Sequence, residues 1–470
     1  MYRTLLVLGM AACLTGCLQP RYSRPALPVP PTWPENQTAV PQAAASSAPQ
    51  AADVKWREFF TDKRLQSVIE LALANNRDLR MAALNVDKVQ GLYRIQRAQQ
   101  FPNVNASFSA DDYRFPKTTK IAGFSVPNAV TVEQYNANLG IASWELDLFG
   151  RVRSLKRQAL EQYLATEQAR SAAQISLVAA VANTYLTFAA DRENLRLAQT
   201  TLDTQKASYE LILQSRDAGI ASNLDLRQAQ SQVEAARVDI ARYTGQVALD
   251  ENALNLLVGA PVAGDLQPSE LDSDQALKDV SAGLPSEVLL RRPDILSAEY
   301  QLKAAYANIG AARAAFFPQI TLTGGGGFMT SHLADLFMGD SKTWNFAPQV
   351  VMPIFDAGAH RANLKVAKVD RDLAVAEYEE AIEAAFREVS DSLTLRTRLV
   401  EQQDAQQALV NALDETYRLS DARYKAGIDS YLSVLVAQRS LYGAQQGLVT
   451  VRMARMTNLV TLYKVLGGGA

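Results

Sequence analysis

The sequence predicts a mainly α-helical chain with a smaller β part, built by internal duplication around two long coiled-coil hairpins. Three observations carry this fold class. The segment Arg216–Leu226 returns as Tyr424–Val434, displaced by 208 positions, and each copy is a long Gly-free run that stops at one glycine, Gly219 or Gly427. The same offset relates Gly150 to Gly358 and Gly259 to Gly467, while an offset of 216 relates Asp78 to Asp294 and Phe101-Pro102 to Phe317-Pro318. Four short segments, two per copy, alternate apolar and polar residues with a period of two.

The helical hairpins come first. After each turn glycine a serine, Ser222 or Ser430, can cap a new helix, so each glycine marks a tight reversal between antiparallel helices. From Gly150 to Gly219, and from Gly358 to Gly427, 69 steps of chain would span about 100 Å as continuous helix. The return helix of copy one places Leu226, Ala229, Val233, Ala236, Ile240, Tyr243, Val247, Leu254 and Leu257 on alternating three and four spacing, with Asp250 the one miss. Copy two gives Val434, Ala437, Leu441, Ala444, Leu448 and Val451, then falters at Arg455 and Asn458. A sustained seven-residue repeat predicts coiled-coil packing, with alanine letting the partner backbone approach. An ordinary long helical bundle explains the stripe equally well.

The chain has 470 residues, 48% hydrophobic and 20% charged, with a formal net charge of -2, a balance that argues against a nucleic-acid partner. Beyond the first positions no run of eighteen apolar residues occurs, so a membrane crossing is expected to use strands. Residues 1–16 resemble a bacterial lipoprotein signal peptide whose lipobox, Leu14-Thr15-Gly16-Cys17, makes Cys17 the lipidated first residue of the mature chain. Cys13 leaves with the signal, and Leu18 stands where lipoproteins kept in the inner membrane usually have Asp, implying sorting outward. Residues 20–53, rich in Pro, Ala, Ser and Gln, read as an extended tether within a 17–60 lipid-anchored segment. Helical patterns follow at 62–75 and 78–100.

In the β segments Val104, Ala106, Phe108 and Ala110 oppose Asn103, Asn105, Ser107 and Ser109, and Tyr135, Ala137, Leu139 and Ile141 oppose Gln134, Asn136 and Asn138. Copy two supplies Ile320 and Leu322 against Gln319, Thr321 and Thr323, then Trp344, Phe346 and Val350 against Thr343, Asn345 and Gln349. The stretch Pro102–Gly150 is eight residues longer than Pro318–Gly358, which predicts a longer loop, and Gly324–Gly327 reads as a flexible hairpin tip. Alternation alone fits a sheet with one wet face as well as a barrel wall. The lipoprotein signal, the lack of a membrane helix and the absence of further strands to cover a sheet favour the barrel. Four strands cannot close alone, because small outer-membrane barrels have about eight, so the barrel must be shared between subunits.

The string Gly283-Leu284-Pro285-Ser286-Glu287-Val288-Leu289-Leu290-Arg291-Arg292-Pro293-Asp294-Ile295 resembles the outer-membrane factors, the TolC-like exit ducts of tripartite efflux pumps. Trp144–Arg151, Pro353–Gly358, Ala385–Val389 and the two turn motifs extend the resemblance over nearly all of the mature chain, and the lipobox points to the branch serving RND-type pumps. The resemblance implies a homotrimer: four strands per chain contribute to a twelve-stranded outer-membrane β-barrel, and the helical staves form an α-helical periplasmic barrel. It places barrel hairpins at 103–149 and 318–357, helical hairpins at 150–259 and 358–470, and equatorial segments at 61–102 and 260–317. Implied partners are a periplasmic membrane-fusion adaptor, an inner-membrane RND pump and outer-membrane lipid.

By position, the resemblance also implies a gate at the two turns. Tyr424 and Asp225 match a tyrosine to aspartate contact that holds the staves, and Leu432 matches an apolar constricting ring. Asp429 stands where some members have a locking arginine, which implies a lock that is looser or that leans on Arg423 or Arg216, and Val436 stands where many have a pore-lining aspartate. Beside this, Pro293-Asp294 reads as a helix start, with the acid favouring the N-terminal dipole, and Gly150 and Gly358 as bends. An enzyme is not expected: His332 and His360 are the only histidines, they lie in different segments, and no Gly-x-Ser-x-Gly turn occurs. No cofactor and no metal site are expected. The alternatives are a lipid-anchored periplasmic coiled-coil adaptor and a type I secretion duct. The cargo is not readable from the sequence.

Overall fold

The structure, a computed structural model, describes residues 20–34, 51–117, 120–121, 124–125, 128–269, 271, 277 and 288–468. These residues form two compact units, one drawn from Met1–Pro25, Asp87–Ala165 and Glu299–Glu377, the other from Ala26–Val86, Thr166–Ala298 and Tyr378–Ala470. In chain order the helices are α1 Trp56–Phe59, α2 Lys63–Asn75, α3 Arg77–Ala98, α4 Arg151–Asp217, α5 Asn223–Val258, α6 Pro293–Ala314, α7 Ala359–Lys425 and α8 Tyr431–Val465. The strands are β1 Val104–Phe115, β2 Lys120–Ile121, β3 Phe124–Ser125, β4 Val130–Glu145, β5 Gln319–Thr330 and β6 Lys342–Val351.

The duplication is kept in the backbone. Helices α4 and α7 are each 67 residues long and begin and end 208 positions apart. Among the described residues the six glycines with positive φ come in pairs at that offset: Gly150 with Gly358, Gly219 with Gly427, and Gly259 with Gly467. Each ends or begins a long helix in a left-handed conformation that a Cβ would strain. Gly259 also meets a second constraint, because a Cβ there would lie 2.6 Å from the carbonyl oxygen of Asn75, where Asn76 Nδ2 donates to Leu257 O at 2.8 Å. Likewise α3 and α6 share their bounds at the offset of 216.

In the first unit, β1, β4, β5 and β6 form one antiparallel sheet in that order. Register keeps the two faces separate across all four strands. Phe108 lies opposite Ala137 and Val104 opposite Ile141; on the next strands Ala137 faces Phe328, Leu139 faces Gly326, and Gly326 faces Trp344. The other face aligns Ser107 with Asn138, Ser109 with Asn136 and Gly325 with Asn345. The apolar face is uncovered: Trp344 is 80% exposed, and Phe108, Leu139, Phe346 and Val350 are exposed with it. A short ribbon, β2 paired with β3, occupies the connection between β1 and β4, and this connection and the longer β4 take up the additional residues of copy one.

Gly324–Gly327 is not a hairpin tip. It lies inside β5, paired on both sides, where a Cβ on Gly327 would sit 2.2 Å from Ala137 O and one on Gly325 would sit 3.0 Å from Leu139 O. The glycines therefore serve close approach of β4 and β5, beside the irregularity between Ile141 and Trp144. Acids close the strand-to-helix junctions. Asp147 accepts from the backbone of Val152 and Arg153 at 3.1 and 2.8 Å, and Asp356 accepts from Gly358 and His360 at 2.9 and 2.7 Å, each capping the first turn of a long helix.

The second unit holds the main core. Phe59, Phe60 and Tyr463 pack together, Phe59 stacking on Tyr463 at 4.0 Å, while the Tyr463 hydroxyl donates to Val54 O at 2.5 Å. Arg292 is buried and ties three elements together, donating to Val465 O at 2.8 Å, Asp294 at 2.6 Å and Glu388 at 2.9 Å. Burial alone would lower its pKa, but these two carboxylates hold it raised, so it stays charged. One window of α4 is apolar enough to span a membrane, contrary to the expectation from composition. Ile175, Val178, Val181, Ala182, Tyr185 and Phe188 instead bury this part of the helix within the unit. Of the stripe's three polar positions, Asp250 and Asn458 are buried, Asn458 Nδ2 donating to Ser392 O at 3.0 Å, while Arg455 is half-buried and donates to Gln403 Oε1 at 3.1 Å.

Residues 20–34, the described part of the Pro-rich segment ahead of the first helices, form neither helix nor strand and are docked. In the first unit Tyr22 and Arg24 bond Glu299, and in the second the indole of Trp33 is buried, stacking on Phe386 at 5.0 Å. Aromatic and charged side chains within a Pro-rich segment supply the contacts that the composition alone did not suggest.

Candidate functional site

The site is the pair of helical turns. Helices α4 and α7 end in the same way: Ile220 N–H donates to Ser215 O at 2.8 Å and Gly219 N–H to Arg216 O at 2.9 Å, while Ile428 donates to Arg423 O at 3.0 Å and Gly427 to Tyr424 O at 2.9 Å. This is the Schellman pattern, in which a left-handed glycine turns two backbone donors onto orphan carbonyls. The next helices start differently. Ser222 and Asp225 form a capping box, the Asp225 carboxylate accepting from Ser222 N at 3.0 Å and Ser222 Oγ at 2.7 Å, and Asp225 N donating to Ser222 Oγ at 3.1 Å. Ser430 makes no side-chain cap, Ser433 N–H donating instead to Ser430 O at 3.1 Å, and Ser433 stands where the first copy has Asp225.

The turns share one core. Ile212 from α4, Leu226 and Ala229 from α5, and Tyr431, Val434 and Leu435 from α8 are buried together, with Tyr209, Leu213, Ala221, Tyr417 and Tyr424 around them. Fully burying such a side chain contributes about 1.5–3 kcal/mol, so this cluster fixes one hairpin against the other. Of the tyrosines, Tyr424 was expected at the gate from the sequence, whereas Tyr417 and Tyr431 were missed as site residues. Their signal was there: Tyr417, Tyr424 and Tyr431 stand seven residues apart. The Tyr431 ring lies 5.3 Å from that of Tyr424, and burial pushes the Tyr431 phenol up to about 12.

Of the residues predicted for the gate, Arg423 and Asp429 are brought together, Arg423 Nε lying 2.5 Å from Asp429 Oδ2. The bond holds the Asp429 carboxyl below the usual carboxylate range. Asp429 thus occupies Arg423 within the same chain. Arg216 is likewise engaged by Asp217. Among the described residues no hydrogen bond joins Tyr424 to Asp225 within the chain. Asp225 is close enough to raise the Tyr424 phenol pKa, after burial as the larger cause, while its Oδ2 caps its own helix. Leu432 and Val436 lie one helical turn apart on an exposed face of α8, 52% and 56% exposed, while Leu435 between them is buried. Ile220, Leu224 and Ile428 are exposed near the same turns. Cys17 lies outside the described residues.

Farther along the hairpins, a polar layer joins the two copies. Tyr442 donates to Asp239 at 3.0 Å, and Gln446 to Tyr243 at 3.1 Å. Asp191 of α4 meets Asp250 of α5, and burial, followed by the bond to Asp250, pushes the Asp191 carboxyl up to about 6. Gln246 donates to Asp250 at 3.3 Å, and Asn194 bonds Asp191.

The profile of the family described as outer membrane efflux protein matches residues 68–260 and 284–468. The chain is 49% identical to the antibiotic efflux pump outer membrane protein ArpC of Pseudomonas putida, over 100% of this chain and 96% of the relative. The same identity and coverage relate it to the toluene efflux pump outer membrane protein TtgC, also of Pseudomonas putida. Among solved structures, the open state of the MtrE outer membrane channel of Neisseria gonorrhoeae is similar, with a TM-score of 0.87 and 38% identity over 96% of this chain and 98% of that one.

Proposed function

This chain belongs to the outer membrane efflux protein family, and from that premise we propose that it is the exit duct of a tripartite RND-type pump, passing apolar small molecules from periplasm to exterior. It works as a homotrimer with a periplasmic membrane-fusion adaptor and an inner-membrane pump. Three four-stranded sheets close one twelve-stranded barrel, the long hairpins form the periplasmic tunnel, and the segments 61–102 and 260–317 form its belt. The observation that carries the reading is the sheet: its apolar face continues over four strands and is left uncovered, its other face is polar, and its two edge strands have no partner among the described residues of the chain. A wall between lipid and water with two open edges closes only against further copies.

The names of the two Pseudomonas relatives, one for antibiotics and one for toluene, support aromatic solvents and amphiphilic drugs as cargo. Passage needs no catalytic group, and the duct acts by geometry, not by chemistry. The turns form its periplasmic gate, with Leu432 and Val436 as the constricting ring and the Arg423–Asp429 pair, Asp225 and Tyr424 steadying the helices behind it. Cys17 carries the lipid anchor; Cys17→Ser is expected to abolish labelling by a radioactive fatty acid, and persistent labelling would place the anchor elsewhere.

The test of the duct is reconstitution. Purified protein in planar bilayers is expected to give discrete channels, and deletion of its gene to raise toluene and antibiotic sensitivity, restored by the intact chain. A folded monomer in mild detergent that gives no channels would overturn the reading.

A further inference from the structure

In the first unit, a cavity of about 390 Å³ is lined by Pro20, Arg21, Tyr22, Arg157, Lys303 and Tyr306. Three of these six residues are cations and none is an acid, which no part of the duct mechanism uses. The cavity has a built wall. Glu299 of α6 is 2% exposed and receives Tyr22 Oη at 2.9 Å, Arg24 Nη2 at 2.8 Å and Lys303 Nζ at 3.0 Å, tying the extended segment to the helix. Burial alone would raise the Glu299 pKa, but the bonds from Lys303, Tyr22 and Arg24 hold it lowered, so the tie persists at neutral pH. Tyr22 meets Tyr306 edge to face at 5.6 Å, and the Lys303 ammonium lies 5.2 Å over the Tyr22 ring. Arg157 reaches Glu161 only at 3.7 Å.

Place and chemistry agree on a ligand. Arg157 lies six residues into α4, which follows the end of β4, so it sits about 9 Å of helical rise below the strand-helix junction. The polar headgroup zone beside a bilayer's hydrocarbon core is about 5–8 Å thick, within reach of a long arginine side chain. Arg21 is four residues from Cys17, which cannot stretch beyond about 14 Å. Arginine matches the two-oxygen geometry of a phosphate, and tyrosine suits the boundary between lipid and water.

We propose that this cavity binds the phosphodiester headgroup of a phospholipid in the periplasmic leaflet, with Arg21 and Arg157 on the phosphate and Tyr22 and Tyr306 against the glycerol. The proposal rests on the outer-membrane reading and on a lipid at Cys17. Bound there, the headgroup fixes the height at which the docked segment and the first turns of α4 meet the membrane.

The experiment uses the full-length lipidated protein extracted in mild detergent. Native mass spectrometry counts retained phospholipid, and calorimetric titration compares dihexanoyl phosphatidylglycerol with inorganic phosphate. Retained lipid and saturable binding of the short-chain lipid are expected, with affinity reduced about tenfold or more in the Arg21→Ala, Arg157→Ala double variant and partly restored by the corresponding lysine substitutions. Channel formation in planar bilayers is expected to be unchanged in the double variant, which separates loss of this site from misfolding or failure of the duct reading. Equal lipid binding by the double variant, or saturable binding of inorganic phosphate without binding of the short-chain lipid, would overturn the proposal.

Discussion

At the scale of single residues, the polar positions inside the hairpins set measurable behaviour. Asp191 shares its site with Asp250, and Asn194, Arg242 and Tyr243 face it. Its carboxyl is raised to about 6, so the folded state favours the neutral form. The stabilisation that this proton contributes is complete below the unfolded value and is lost as pH rises through 6. Asp191→Asn, which stays neutral, is therefore expected to raise the melting temperature by a few degrees at pH 7.5 and to change it much less at pH 4. An equal shift at both pH values would remove the shared proton. In the sequence, Asp250 reads only as a fault in the apolar stripe, because a heptad pattern registers polarity and cannot register a partner on another helix.

The gate residues belong to the same scale. Since Asp225 caps α5, Asp225→Ala is expected to cost about 0.5–2 kcal/mol locally and to raise single-channel conductance, whereas Tyr424→Phe alone is expected to change it little. A larger effect of Tyr424→Phe than of Asp225→Ala would restore the tyrosine to aspartate contact. Val436→Asp is expected to shift the reversal potential in a salt gradient toward cation selectivity by placing three carboxylates around the pore; an unshifted potential would take position 436 out of the constriction. The sequence located all six residues at the turns. It could not assign their bonds, because Asp225 has a nearer partner in Ser222 and Asp429 has one in Arg423.

Elements were more legible than bonds. Helix ends, turns and strand faces follow from short-range rules about glycine, serine and alternation, and the duplicated bounds of α4 and α7 repeat the spacing of their glycines. The glycine run of β5 was misread because glycine marks a turn and a close backbone approach alike. The structure separates its members. A Cβ on Gly327 would meet the neighbouring strand at 2.2 Å, whereas one on Gly326 has nothing nearer than 3.7 Å. Gly327→Ala is expected to destabilise the sheet by about 1–3 kcal/mol or more, and Gly326→Ala much less. Resistance of the assembled protein to heat in dodecyl sulfate should fall only in the first; equal loss in both variants would mean that the run acts through flexibility and not through approach.

For the whole molecule, the two edges of the sheet decide the assembly. Strands β1 and β6 each offer a row of backbone donors and acceptors along 12 and 10 residues, and such a row inside a bilayer costs several kcal/mol for every group left unpaired. Chain direction alternates along the order β1, β4, β5, β6, so β6 of one protomer runs antiparallel to β1 of the next. Three copies then give a closed ring of twelve, the edges are consumed, and the continuous apolar face is turned wholly to lipid. This joins the strands of neighbouring protomers on their polar faces, where Asn105, Ser107 and Ser109 of β1 meet Thr343, Asn345 and Gln349 of β6 in a register set by barrel tilt. Cysteines placed pairwise at these positions are expected to form inter-protomer disulfides and covalent trimers for one or two pairs only, those whose Cβ atoms come within about 4.5 Å. Pairs drawn from the apolar face of one strand and the polar face of the other should not link. Cross-linking that halts at dimers, or that proceeds equally for pairs of mixed face, would rule out closure through β1 and β6.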